Sequence, residues 1–344
     1  MKSLSLVVDM YGCPNRCKHC WLGHMPNRKM DDKTDELLIE YFKPYFENIT
    51  YYSWLREPDY CDDYRERWMK DVEISIQEKP MRFELASFYR LVRDAEYVKF
   101  LREVGVKKVQ LTFFGLEMMT DFYIGRKNAY NELLLATDIL ISNGIAPRWQ
   151  AFIFEDNKNE IVKLLDVINE QKLYERCASF GEEFKFFVHA GSCDGENIKQ
   201  YPIRIQKENI PNQLIPYYWE YDEILEEKEC VKLLSENHEK IVFEVPDNIV
   251  LNISNNFDVY FNYTNMTKPW IIGNVLKDDA KELVRRVMEG DTYALNMIRK
   301  CSYSDLVKRY GNVSSTKVFT LDDYKMYMIN RHLDDLEKSF AINR

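Results

Sequence analysis

The 344-residue sequence predicts an α/β fold built on a parallel sheet, and three observations carry that prediction. Strand-like and helix-like stretches alternate from residue 4 to residue 189, the pattern of strands joined by helical crossovers. After about residue 192 the alternation gives way to a turn-rich segment, 191–195, and then to a mixed pattern with prolines at 202, 211 and 216. The first half holds six strand–helix units, which are too few for an eightfold barrel.

Residues 4–10 begin with Leu4, Leu6 and Val8 alternating with other residues, and read as strand one. Residues 31–48 read as a helix with Leu37, Leu38, Tyr41, Phe42 and Tyr45 on one face and Pro44 kinking its last turn. Residues 49–55 form strand two, followed by a charged helix over 62–71. Strand three falls at 82–88, and a helix over 94–104 is closed by Gly105. Strand four falls at 108–114. The amphipathic helix 128–143 then turns Leu133, Leu134, Thr137 and Leu140 inward and stops at Gly144. Residues 147–154 and 184–189 are strands five and six, with a helix over 158–170 between them. Further on, 249–253 and 259–263 read as two strands joined by Asn255-Asn256, and helices fill 278–299, 304–310 and 321–338. The boundary near residue 192 divides the chain into 1–192 and a smaller α+β extension, 193–344.

Hydrophobic residues make up 46% of the chain and charged residues 30%, and no apolar run approaches the ~20 residues of a membrane span. A formal charge of −9 argues against a nucleic-acid surface, which needs concentrated Lys and Arg. Lys2 is followed by strand-like alternation, without the apolar stretch of a signal peptide. Five of the eight cysteines (Cys61, Cys177, Cys193, Cys230, Cys301) are scattered without pair spacing, as expected of free thiols in a reducing cytoplasm.

The other three cysteines lie in Cys13-Pro14-Asn15-Arg16-Cys17-Lys18-His19-Cys20, directly after strand one. Soft thiolates gathered on one loop suit an iron–sulfur centre. Zinc, completed by His19 or His24, is the competing reading, although structural zinc sites usually pair C-x2-C with a second pair further on. The C-x3-C-x2-C spacing resembles the signature of the radical S-adenosylmethionine (SAM) superfamily. That resemblance implies a partial (β/α)6 TIM barrel over 1–192 and a [4Fe–4S] cluster on Cys13, Cys17 and Cys20 whose open iron binds SAM. His19 stands where an aromatic residue is usual, and Trp21 follows the third cysteine.

The resemblance extends to a SAM site. Glu57-Pro58 at the end of strand two matches half of a Gly-Gly-Glu-Pro motif, with Leu55 and Arg56 in place of the glycines. Glu57 is then the partner of the SAM ammonium, with a solvated Arg56–Glu57 loop pair as the alternative. Gln110 and Thr112 on strand four become ribose contacts, and Arg126 a fork for a carboxylate. His189 at the end of strand six is a candidate substrate contact. Asn256–Asn262 with Gly273-Asn274-Val275 resembles the hairpin of SPASM and twitch extensions. Phe261 or Asn262 falls where those relatives have a cluster-binding cysteine, so the extension is expected to cover substrate without an auxiliary cluster.

The implied activity is reductive cleavage of SAM to a 5′-deoxyadenosyl radical that abstracts hydrogen from a substrate, fed by flavodoxin or ferredoxin in an oxygen-sensitive protein. Without an auxiliary cluster as electron sink, redox-neutral outcomes are favoured: epimerisation, elimination or rearrangement. The substrate is a ribosomally made peptide or, alternatively, a small metabolite such as a sugar or amino acid derivative. Against a peptide, the chain begins at strand one, which is read as leaving no leader-binding domain. A non-catalytic iron–sulfur sensor is the third reading. Cys193, in a glycine-flanked loop four residues beyond His189, is the candidate hydrogen-atom donor, and Cys61 its rival.

Overall fold

The computed structural model describes residues 3–25, 27–82, 84–261 and 266–342, the last four as backbone only. Strand β1 (Ser3–Val8) pairs in parallel with β2 (Ile49–Tyr52), from Leu4 opposite Ile49 to Val7 opposite Tyr52. A second parallel set joins β3 (Lys108–Phe113), β4 (Ala146–Phe152) and β5 (Lys185–His189). Among the described residues no ladder links β2 to β3, and the parallel strands form a partial barrel.

Among the described residues no strand forms at 82–88, where strand three was expected; one bond ties the stretch to β3, the Gln110 amide donating to the Glu84 carbonyl at 2.7 Å. Ser87 then caps a one-turn helix, Phe88–Leu91, by accepting from the Arg90 amide. A serine offered a helix N-terminus satisfies an otherwise orphaned amide, and the chain turns into the helix there. The helix expected over 31–48 is shorter, Thr34–Phe42, because Pro44 follows it closely. Its buried stripe is Leu38, Ile39 and Phe42, while Leu37 and Tyr45 are exposed.

Alternation along β3 and β4 sorts side chains between two faces. Val109, Leu111, Phe113 and Trp149 are fully buried against the outer helices, and the Trp149 indole donates to Thr137 Oγ1 at 3.0 Å on the helix Ala129–Ser142. Each large apolar side chain so buried contributes roughly 1.5–3 kcal/mol. Gln110, Thr112, Arg148 and Gln150 take the opposite, inner face.

The C-terminal half does not stand apart. After the short strand β6 (Leu225–Glu226), β7 (Asn248–Ile253) pairs in parallel with β1 along its whole length, from Ser3 opposite Asn248 to Val8 opposite Ile253. Strands β8 (Asp258–Phe261) and β9 (Ile271–Asn274) continue the same sheet in antiparallel fashion, in the order β2-β1-β7-β8-β9. The hairpin expected at Asn255-Asn256 is present; Ser254 Oγ accepts from the Asn256 and Asp258 amides, and the Asn274 side chain donates to Asn256 O and Asp258 Oδ1. Phe261 is buried at the end of β8, and Asn262 lies outside the described residues. The helix expected over 278–299 is two helices, Ala280–Glu289 and Tyr293–Ile298, interrupted at Gly290. Helices Glu227–Ser235, Tyr303–Tyr310 and Leu321–Ile342 build a further core, edged by β10 (Val318–Phe319) paired with β6.

Candidate functional site

The loop that leaves β1 crosses the C-terminal ends of the barrel strands and is fixed on both sides. The Arg16 and Lys18 amides donate to Ile124 O at 2.9 Å and Tyr123 O at 2.8 Å, at the end of the helix Glu117–Ile124. Gly125 closes that helix in the left-handed region, and a Cβ there would lie 2.8 Å from the Arg16 carbonyl. On the other side the Glu196 amide donates to Cys20 O at 2.8 Å. Gly195 is also left-handed (φ +51°), and a Cβ on it would meet Trp21 O at 2.1 Å. Only glycine allows such backbone approach at that φ. The extension therefore grips the loop at Cys20.

Cys13, Cys17 and Cys20 all line one cavity of about 400 Å³. That volume is in the range of small-molecule sites, roughly 300–1,000 Å³. All three are free thiols. Burial pushes each thiol up from its ordinary value; for Cys13 the neighbouring Glu57 adds to the effect, and for Cys17 the neighbouring Cys20 does. A buried set of three soft donors gains by surrendering its protons to a metal-bearing group. Among the described residues no group of three or more His, Cys, Asp or Glu side chains is arranged to hold a single metal ion. Three free thiols lining one cavity are the soft donor set that suits an iron–sulfur centre.

Glu57 faces the same cavity from the end of β2. Its Oε2 lies 3.8 Å from the Cys13 sulfur, which donates to it, while Oε1 is buried with no hydrogen-bond partner. Burial raises its carboxyl from 4.5 to about 7, against the pull of hydrogen bonds from Ser87 and Cys13 and of the Arg126 charge. An orphaned carboxylate oxygen beside an open cavity is suited to a cationic ligand. Behind Glu57 lies a separate polar void of about 10 Å³ shared with Tyr11, Asp59, Cys61 and Asp71, room for about one water.

Gln110 and Thr112 both line the cavity, which settles which face of β3 is interior. Gln150, opposite Thr112, joins them: its Oε1 accepts from the Gln110 amide and, at 3.3 Å, from the Thr112 hydroxyl, and its amide group meets the His189 Nε2. Arg148 extends this chain downward, donating to Gln110 Oε1 and pairing with Glu84 at 2.6 Å. His19 packs against Phe114 and Phe152, ring centroids 4.9 and 4.3 Å away, with a buried Nδ1 that has no partner. Burial lowers His19 to about 3 and His189 to about 4, so both imidazoles are neutral at pH 7. The cavity offers neutral donors and acceptors on its floor and one ionisable carboxyl at its wall.

Two expected residues are not brought to the cavity. Arg126 is held behind the thiol loop, where Nε donates to Asn15 Oδ1 at 2.9 Å and Nη1 pairs with Glu132 at 2.5 Å; only the buried Nη2 is left without a partner. Most of the fork expected to hold a carboxylate is already engaged. Cys193 is 1% exposed within the C-terminal core with Cys230, Tyr324 and Tyr327, and the neighbouring Ser192 lines the cavity in its place. The loop turns after Ser192 and carries the Cys193 thiol, the expected hydrogen-atom donor, into the apolar core and away from the cavity. Cys61 lines only the small void behind Glu57. Gln150 is the residue sequence reasoning left without a role, and its alternation with the buried Trp149 along β4 is the signal that finds it. His19, read from the sequence as a zinc ligand, packs beside the cavity between two of the cysteines.

Residues 7–168 match the family model described as the radical SAM superfamily. No curated protein matches the chain. Among solved structures, the chain is similar to anSMEcpe with bound AdoMet (13% identity, TM-score 0.51, 97% of this chain and 99% of that chain). It is likewise similar to anSMEcpe with bound AdoMet and Cp18Cys peptide (14% identity, TM-score 0.52, 98% and 99%). A more distant likeness is to Streptococcus suis SuiB bound to precursor peptide SuiA (14% identity, TM-score 0.48, 93% and 75%).

Proposed function

We propose that this chain, whose residues 7–168 match the radical SAM superfamily and which takes AdoMet and a [4Fe–4S] cluster as cofactors, is an enzyme that takes a hydrogen atom from a peptide held in the cavity over Cys13, Cys17 and Cys20. The observation that carries this reading is the shared lining of one cavity by three free thiols, the orphaned Glu57 carboxyl and the inward row Gln110, Thr112, Gln150 and His189. When bound, the cluster and AdoMet supply one-electron cleavage chemistry that activates an otherwise inert C–H bond.

The chain's own residues bind and orient. Cys13, Cys17 and Cys20 would hold the cluster as thiolates. Glu57 would accept from the AdoMet ammonium, and its neighbours Leu55 and Pro58 shape the adjacent wall. Gln110 and Thr112 present a carbonyl, an amide and a hydroxyl where a ribose diol can bond. Arg126 acts from behind, fixing Asn15 in the thiol loop. Gln150 and neutral His189 form the floor that meets substrate, and buried Phe152 with His19 keeps water out.

A peptide is favoured over a small metabolite because the chain covers anSMEcpe, which has been seen with a peptide bound, nearly end to end. The proposed reaction is redox-neutral, because the sequence carries no cysteine between Cys230 and Cys301 with which the β8–β9 hairpin could hold an electron-accepting cluster, and a flavodoxin- or ferredoxin-type protein supplies the electron. The test is anaerobic reconstitution of the wild type and of the Cys13/Cys17/Cys20→Ala triple variant. The wild type should hold about four irons per chain, by cluster stoichiometry, and release methionine from AdoMet under dithionite. The triple variant should do neither. A wild type that binds iron but leaves AdoMet intact would favour the sensor.

A further inference from the structure

Arg56 stands where the resembled motif has a glycine, and the structure gives it a definite task. Its side chain is 5% exposed, and its planar fork reaches three acceptors on two segments of chain. Nε donates to Asp9 Oδ2 at 2.9 Å, at the end of β1 where the thiol loop departs. Nη2 donates to Leu22 O at 3.2 Å, and Nη1 donates to Gly23 O. Leu22 and Gly23 lie two and three residues after Cys20, and the turn is closed by the Gly23 amide donating to Cys20 O at 3.2 Å. Asp9 is itself 1% exposed, with its amide bonded to Ile253 O on β7. The guanidinium thus ties both ends of the thiol loop, before Cys13 and after Cys20, to the β1–β7 ladder.

We propose that Arg56 is the positioning residue of the thiol loop, a buried strut that sets where Cys20 is presented to the cavity. The argument is geometric. A loop of eleven or so residues bearing three donors needs its ends fixed if the donors are to meet one group in one arrangement. The Leu22 carbonyl takes its bond from Arg56, and the Gly23 carbonyl has besides Arg56 only a long contact from the Cys20 thiol at 3.9 Å; a guanidinium is the side chain that can serve two carbonyls and a carboxylate at once. The other loop anchors, at Tyr123, Ile124, Arg126, Asn27 and Glu196, come from other segments. Arg56 joins the loop's exit to the end of the strand it came from. This inference rests on the reading that the three thiols hold a cluster.

Two variants test it, Arg56→Lys and Arg56→Gln. Lysine retains the charge opposite Asp9 and loses the fork; glutamine loses both. In the iron-free protein, amide exchange at residues 20–24 should quicken in both variants, while amides within β1 and β2 keep wild-type protection. In the reconstituted protein, loss of iron to a chelator should be about 10- to 100-fold faster, the usual consequence of removing a group that orients metal ligands. The reduced cluster's electron paramagnetic resonance spectrum should also change shape, which a purely global loss of stability would not produce. Wild-type exchange at 20–24 together with wild-type iron retention in Arg56→Lys would overturn the proposal. So would unfolding of Arg56→Lys, because the charge pair with Asp9 persists there. If the wild type holds no iron, the cluster reading fails, and exchange in the iron-free protein still decides whether Arg56 is the strut.

Discussion

Replacing Glu57 by glutamine is expected to make the protein more stable and a poorer binder of AdoMet, and the two effects have one physical origin. The folded carboxyl sits at about 7 against an ordinary value of 4.5, because burial penalises its charged form. A group raised on folding contributes its full stability below the unfolded value and loses it as pH rises through the folded one. At ~1.36 kcal/mol per pH unit, a rise from 4.5 to about 7 amounts to about 3 kcal/mol of strain carried by the ligand-free protein at pH 8. Glutamine is nearly isosteric and does not ionise. Urea unfolding of ligand-free Glu57→Gln should match wild type at pH 4.5 and exceed it by up to about 3 kcal/mol at pH 8. AdoMet affinity should move the other way. Losing a hydrogen bond to an ammonium costs about 1.5–3 kcal/mol, or roughly 10- to 150-fold in Kd. Wild-type affinity should also weaken as pH falls below about 7, where protons compete for the carboxylate, while the variant's affinity stays flat. Calorimetry at three pH values reads both. Unchanged affinity removes Glu57 from the site. A variant less stable than wild type at pH 8 refutes the burial argument itself.

Two further outcomes follow from positions around the loop. Gly195→Ala places a methyl group 2.1 Å from Trp21 O at a φ that costs an L-residue roughly 1–2 kcal/mol; the Glu196–Cys20 hydrogen bond should break, and iron content after reconstitution should fall while the far-ultraviolet circular dichroism is retained. Cys193→Ala should cleave AdoMet and form product as wild type does, with about 1 kcal/mol lost in thermal unfolding from the C-terminal core. A variant that cleaves AdoMet but stalls before product would return the thiol to the chemistry.

How far the sequence carried depended on whether each signal was local. The Cys13–Cys20 spacing is local chemistry on one loop, and the structure gathers those three side chains on one cavity. The strands at β1, β2, β3, β4 and β5 follow from apolar runs with turn residues beside them, and each lies within a few residues of its expected place. What was not legible depended on partners far along the chain. Which face of β3 is interior is decided by Gln110 and Thr112 meeting Gln150, some 40 residues on. Residues 82–88 have strand composition, but Ser87 finds the Arg90 amide and starts a helix. Cys193 looked like a cavity residue because it follows His189 closely; a single turn after Ser192 sends it into a core whose other members lie beyond residue 229. No spacing rule in the sequence anticipates that.

The pairing of β7 with β1 bears on what the extension does. A strand with a buried apolar face and one unpaired edge invites association with another chain. Here β1 would have such an edge, since Leu4, Leu6 and Val8 are fully buried on one face and β2 covers only one side. Strand β7 takes the other side over six residue pairs, and its end accepts the Asp9 amide exactly where the thiol loop begins. Further along, Gly195 and Glu196 hold the loop's other end at Cys20. The extension therefore touches the loop through backbone at both ends, before Cys13 and after Cys20. An element bonded in this way is a wall of the site and not a cover that lifts from it.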